Sequence, residues 1–99
     1  MSKPLIVRVA AEADITAARL WYEQQRDGLG IEFLDAVEAV LDRLEAVPEM
    51  HQIVWQNVRR AKLKRFPYLV YYRVLDDRTE VLSVMHGRRH PSAWKSRVN

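Results

Sequence analysis

Near Pro48 the apolar residues of this chain stop recurring every three or four positions and begin to alternate every second one. That change confines the fold to helices followed by a sheet, because a helical period does not settle as a strand. Ahead of the helical part, Leu5 to Val9 is a β-branched run that reads as a strand. Ala11-Glu12-Ala13-Asp14 follows without Gly or Pro, with acidic residues suited to a helix N-terminus. From about Ala11 to Arg26 the seam Ile15, Ala18, Trp21 or Tyr22, and Gln25 predicts a helix whose Glu12, Arg19, Glu23 and Arg26 face water. Asp27-Gly28-Leu29-Gly30 breaks it. A second, stronger stripe of Phe33, Val37, Val40, Leu41 and Leu44 runs to Pro48, which disfavours helix at Val47. The short link implies an antiparallel helical hairpin.

Beyond Met50 the alternation predicts strands near His51–Trp55, Val58–Arg65, Tyr68–Leu75 and Glu80–His86. Gln56-Asn57, Phe66-Pro67 and Asp76-Asp77-Arg78 are short links, so these strands should form an antiparallel meander. Tyr68, Val70, Tyr72 and Val74 take one side of their strand and Leu69, Tyr71, Arg73 and Leu75 the other, and one of these sides should carry the helical hairpin. The expectation is one α+β domain over residues 1–99, with Gly87–Asn99 either a loop with a short final helix or a flexible tail. No repeat, linker or low-complexity segment is visible.

The 99 residues are 48% hydrophobic and 29% charged, a globular balance with no apolar run near the ~20 residues a membrane helix needs. The start of the chain lacks the apolar stretch and small-residue cleavage site of a secretion signal, and a cytosolic protein is expected. With no cysteine, disulfide frameworks, thiolate zinc sites and cysteine nucleophiles are excluded. The net charge of +3 conceals two halves of opposite sign. Residues 1–50 hold five Lys or Arg against ten Asp or Glu, a net −5, and residues 51–99 hold eleven against three, a net +8. A positive C-terminal surface would attract anionic partners in a salt-dependent way.

Val58 to Arg73, VRRAKLKRFPYLVYYR, concentrates that charge. In a strand, Arg60, Lys62 and Lys64 share one face, with Ala61 and Leu63 on the other. Such a row is either a solvated sheet face or a docking surface for phosphate or carboxylate. Several features in order carry a family resemblance: Ala13-Asp14, Trp21-Tyr22, Gly28-Leu29-Gly30 with Phe33-Leu34, Pro48, and Val58-Arg59-Arg60. Arg65-Phe66-Pro67-Tyr68, Val70-Tyr71-Tyr72, Val84-Met85-His86-Gly87-Arg88-Arg89-His90-Pro91 and Trp94 complete it. In this order the chain resembles the RelE/ParE superfamily of small toxins, in its ParE-like, plasmid-stabilisation branch. The resemblance implies a cytosolic type II toxin in a hetero-oligomer with a small cognate antitoxin. It implies no cofactor. Its branches differ in target: ParE-like members are associated with DNA gyrase through protein contact, RelE-like members with cleavage of messenger RNA in the ribosome.

Each branch assigns residues differently. Attack of a 2′-hydroxyl on phosphate needs cations for the phosphorane and groups that take and give protons. Arg60, Lys62, Lys64, Arg73, Arg88 and Arg89 are the available cations; His86 and His90 are the available acid or base, histidine being the residue type whose reference pKa is about 6.5. The ribonuclease branch places Lys or Arg on middle strands and a Tyr or His near the C-terminus, and here no Tyr follows Tyr72. A protein-contact toxin would instead use Arg60, Lys62, Lys64, Arg88, Arg89 and Trp94 as a surface. A third reading is a non-toxic nucleic-acid-binding protein of the same fold. Each residue also has an ordinary reading: His86 as a hydrogen-bonded strand end, His90 as an exposed loop residue, the cations as a solvated face. His51 has no evident partner, and the three His lack a local metal-ligand spacing. Trp94 is a contact residue if exposed and a cap on the core if the tail folds back.

Overall fold

The computed structural model describes residues 3–98. β1 is Leu5–Val7, α1 Val9–Gln25 and α2 Leu29–Ala46; β2 is Ile53–Trp55, β3 Val58–Lys62, β4 Tyr68–Val74 and β5 Thr79–His86; α3 is Ser92–Lys95. The sheet order is β1-β5-β4-β3-β2. β2 to β5 form the expected antiparallel meander, whereas β1 joins the far side of β5 in parallel, so the sheet is mixed. The α+β architecture is as expected, with narrower strands. The first strand stops at Val7 because Val9 already lies in α1, and the third stops at Lys62, short of Arg65, whose φ of +70° takes the chain out of the extended region.

The helical hairpin lies on one sheet face. Ala11 and Ala18 of α1, and Phe33, Val37, Val40 and Leu44 of α2, meet Ala61, Val70, Tyr72, Val81 and Val84 in the main core. Tyr22 turns inward, stacked 5.2 Å from Phe33, which leaves Trp21 exposed and settles the choice between them. The tight connection rests on Gly28, at φ +87°, a left-handed conformation that favours glycine. Glu23, expected to face water, instead accepts the Gly28 and Gly30 N–H groups at 3.0 Å each and caps the start of α2. Those two bonds hold its carboxyl below the usual range. Gly30 is also needed for space, since a Cβ there would lie 2.8 Å from the Arg19 carbonyl oxygen.

The opposite face has its own smaller core of Val58, Tyr71, Leu82, Met85, Trp94 and Val98. α3 folds back over it, so the described part of the C-terminal stretch is a loop and short helix; Asn99 lies outside the described residues. Asp14 ties these parts together. β5 runs past the end of β1, and the Val84 N–H is taken by the Asp14 carboxylate at 3.0 Å. The same carboxylate pairs with Arg97 through both terminal guanidinium nitrogens, Nη1 and Nη2.

His51 packs edge-on to Tyr72, and Tyr72 Oη donates to the Pro48 carbonyl at 2.7 Å, which fixes the passage from α2 into the sheet. The buried His51 Nε2 has no hydrogen-bond partner among the described residues. Burial, followed by the charges of Arg43 and Arg59, holds its pKa below the ordinary 6.5. Below about pH 6.5 the unfolded chain therefore binds a proton that the folded chain resists, so stability is full above that value and declines as pH falls through it. Urea midpoints compared at about pH 7.5 and about pH 5 should show that decline in the wild type and a smaller one in His51→Gln; equal slopes would exclude His51 as the source.

Candidate functional site

The alternation in β3 puts Ala61 in the core and leaves Arg60 and Lys62 exposed on the face away from the helical hairpin. Registration with β4 sets Arg60 opposite Tyr71 and Lys62 opposite Leu69. At the top of the sheet the Gly87 N–H donates to the Pro67 carbonyl at 2.8 Å, which draws the loop after β5 against the β3–β4 turn. Arg60 and Lys62 thereby line one open groove of about 450 Å³ with His86 and Arg88, over the apolar surface of Pro67 and Leu69. Among the described residues neither the two strand cations nor Arg88 has an ion pair or a side-chain hydrogen bond.

The other cations divide by position. Arg73, a candidate for stabilising a phosphorane, is committed to the fold: its Nε donates to Glu80 at 3.0 Å and its Nη1 to the Val98 carbonyl at 2.9 Å. Burial alone would raise the Glu80 pKa, but hydrogen bonds from Arg78 and Arg73 hold it below the usual range, so this cluster is a closed ion network. Lys64 lies beyond the end of β3 and lines a different groove, with Asp35, Arg43 and Phe66 beside α2. Arg89 lies across His86 from the sheet groove, beside Asp14, Ala17, Trp21 and Tyr68. The expected row of three is thus a pair on the sheet, completed by Arg88 from the loop.

The histidines are similarly placed by the backbone. His86 stands edge-on to Tyr68, and its Nδ1 accepts the Arg88 N–H at 3.1 Å. With Nδ1 an acceptor, the neutral ring carries its proton on Nε2, so Nε2 offers an N–H and not a lone pair. Proton abstraction would require that loop bond to break. His90 Nδ1 accepts the Ser92 N–H at 3.1 Å at the start of α3, and His90 does not line the groove that holds His86 and Arg88.

Trp94, grouped above with the contact residues, corrects to its alternative placement. It is 6% exposed and stacks on Tyr71, ring centroids 4.5 Å apart, so it holds α3 to the sheet and leaves the accessible surface to the cations. The Lys95 ammonium lies over Trp55 at 5.1 Å beside it. Among the described residues no three His, Cys, Asp or Glu side chains come together in a metal-holding group. Sequence reasoning did not find Pro67 and Leu69 as the groove floor, nor the Asp14–Arg97 tie. The floor follows from pairing Lys62 with Leu69, which an alternation pattern leaves open. Nothing local connects Asp14 to Arg97.

A model of the ParE toxin of type II toxin–antitoxin systems (ParDE) matches residues 5–91. Toxin ParE2 of Mycobacterium tuberculosis, in strains CDC 1551 / Oshkosh and H37Rv, is 27% identical over 100 residues, spanning 100% of this chain and 95% of the relative. A chain of the chromosomal ParDE TA system from P. aeruginosa has the same fold, with a TM-score of 0.65 at 19% identity, over 86% of this chain and 96% of that one.

Proposed function

The chain belongs to the ParE toxin family of type II toxin–antitoxin systems, and from that membership we propose that it arrests growth in the cytoplasm by protein contact with DNA gyrase, neutralised by a small cognate antitoxin. The supporting observation is the division among its charged residues. Among the described residues Arg60, Lys62 and Arg88 have no ion pair or side-chain hydrogen bond, and they share one groove, whereas Arg73, His86 and His90 each hold a bond within the fold. A surface of unpaired cations over apolar floor suits a protein contact with complementary charge. RNA cleavage would need a free base, and the His86 tautomer offers a donor.

A ribosome-dependent ribonuclease is the second reading, favoured by one observation: Arg60, Lys62, Arg88 and His86 line the same groove. Expression without the neighbouring gene product should arrest growth, and co-expression should restore it. Arrested cells are expected to accumulate double-strand DNA breaks while messenger RNA stays intact. Codon-positioned RNA cuts without DNA damage would transfer the function to the second reading. His86→Gln should keep its toxicity; loss of toxicity with an unchanged circular-dichroism spectrum would favour proton-transfer chemistry.

A further inference from the structure

Met50 to Val58, MHQIVWQNV, is a stretch of nine residues without a charge in a chain that is 29% charged, and it contains β2, an edge strand of the sheet. Edge strands are ordinarily blunted by a lysine, a proline or a covering segment, because their outer N–H and C=O groups are open to another strand. β1, at the opposite edge, is bracketed by Pro4 and Arg8; no such residue stands in β2 or beside it. Ile53 is 49% exposed, and the approach to the strand exposes Met50 at 56% and Val47 at 53%. The ladder with β3 decides which backbone groups of β2 are free. The Arg60 N–H donates to the Gln52 carbonyl at 3.2 Å, and Ile53 stands opposite Arg59. In an antiparallel ladder that bond puts Ile53 at a non-hydrogen-bonded position, with its own N–H and C=O turned away from β3. The approach is held in place by Arg59, whose Nη1 donates to the Glu49 carbonyl at 3.0 Å and the His51 carbonyl at 2.7 Å.

We propose that this edge pairs with β2 of a second copy of the chain, antiparallel across a two-fold axis at Ile53, so that the two Ile53 residues exchange N–H···O=C bonds and the two sheets become one. The backbone selects this pairing, because an edge residue with both groups turned outward is complementary to itself under a two-fold axis. Charge selects the occupant. A net charge of +3 opposes self-association over most of the surface, but Met50–Val58 brings no like charge to the seam and offers a charged strand no opposite one. Antiparallel pairing also carries the Glu49 end of each copy toward the Trp55 end of the other, where the Lys95 ammonium lies 5.1 Å from the Trp55 ring. Neither Glu49 nor Lys95 has an ion pair among the described residues. The axis stands perpendicular to the joined sheet, so both grooves of Arg60, Lys62 and Arg88 face the same side of it. The pair thus presents two copies of one contact surface, from which a two-fold symmetric target gains avidity. The pairing itself does not depend on the target proposed above.

The test is sedimentation equilibrium of the purified protein, free of antitoxin, beside Ile53→Pro, Ile53→Lys and Val9→Lys. Circular dichroism with thermal melts checks that each variant is folded. A short edge makes a small interface, so the wild type should dimerise with a dissociation constant on the order of 10–100 µM. Ile53→Pro removes the outward N–H without touching the ladder to β3, and Ile53→Lys sets two ammonium groups against each other at the seam; each should weaken the dimer more than about tenfold. Val9→Lys, an exposed change beside β1 at the opposite edge, should dimerise within about threefold of wild type. A wild type that stays monomeric at ~1 mM overturns the proposal. So does a folded Ile53 variant that still dimerises within about tenfold of wild type, because the seam then lies elsewhere.

Discussion

Replacing Arg60, Lys62 and Arg88 together with Ala should abolish growth arrest while the protein remains folded. The three side chains share one groove and none has an internal partner among the described residues. Exposed changes of this kind typically move stability by no more than about 0.5 kcal/mol each. At a contact with complementary charge, roughly 1 kcal/mol lost per cation, about 3 kcal/mol in all, corresponds to target binding weaker by on the order of 100-fold. The matched control is Arg73→Ala, whose side chain joins Glu80 to the Val98 carbonyl. Its defect should appear in thermal stability before it appears in toxicity. Undiminished toxicity of the triple variant at verified expression would remove the sheet groove from the account.

Phe33→Ala should produce the largest loss of stability. Phe33 has no exposed surface and lies 5.1–5.3 Å, centroid to centroid, from Tyr22, Phe66 and Tyr68. Its ring is the common neighbour of α1, the β3–β4 turn and β4, which cannot all close on the space left behind. Removing a buried aromatic side chain costs about 3–5 kcal/mol, from a total of about 5–15 kcal/mol for a domain of this kind. At a urea m-value of ~1.5 kcal/mol/M the midpoint should drop by roughly 2–3 M. A drop below about 1 M would mean that the cluster relaxes around the cavity and that Phe33 is not its keystone.

The sequence disclosed what has a local cause. The helical stripe ending at Pro48, the alternation of Arg60, Ala61 and Lys62, and the Asp76-Asp77-Arg78 turn, closed by the Leu75 N–H to the Arg78 carbonyl at 2.8 Å, all follow from spacing and turn chemistry. What depends on distant pairing was hidden. The parallel docking of β1 beside β5 joins residues more than 70 positions apart. The Asp14–Arg97 tie spans 83 positions. Local acidity suggested a helix-terminus role for Asp14, while its carboxylate holds Val84 and Arg97.

The candidate site was legible to the same degree. The sheet alternation identified Arg60 and Lys62, and the resemblance drew attention to His86 and Arg88. Arg73 was indistinguishable from them by spacing until its register opposite Glu80 was known. Lys64 left the row because β3 ends at Lys62, before the left-handed Arg65. Trp94 was undetermined because its burial depends on the chain turning back across the second sheet face.

The most direct measurement mixes the purified protein, free of antitoxin, with purified DNA gyrase, plasmid and ATP, then adds detergent and protease and measures linear DNA. Accumulation of linear DNA with the wild type, and its absence with the Arg60, Lys62 and Arg88 triple variant, is the predicted result. No linear DNA and unchanged supercoiling at a protein excess, from a preparation that cuts messenger RNA on translating ribosomes, would contradict protein contact with gyrase as the basis of toxicity.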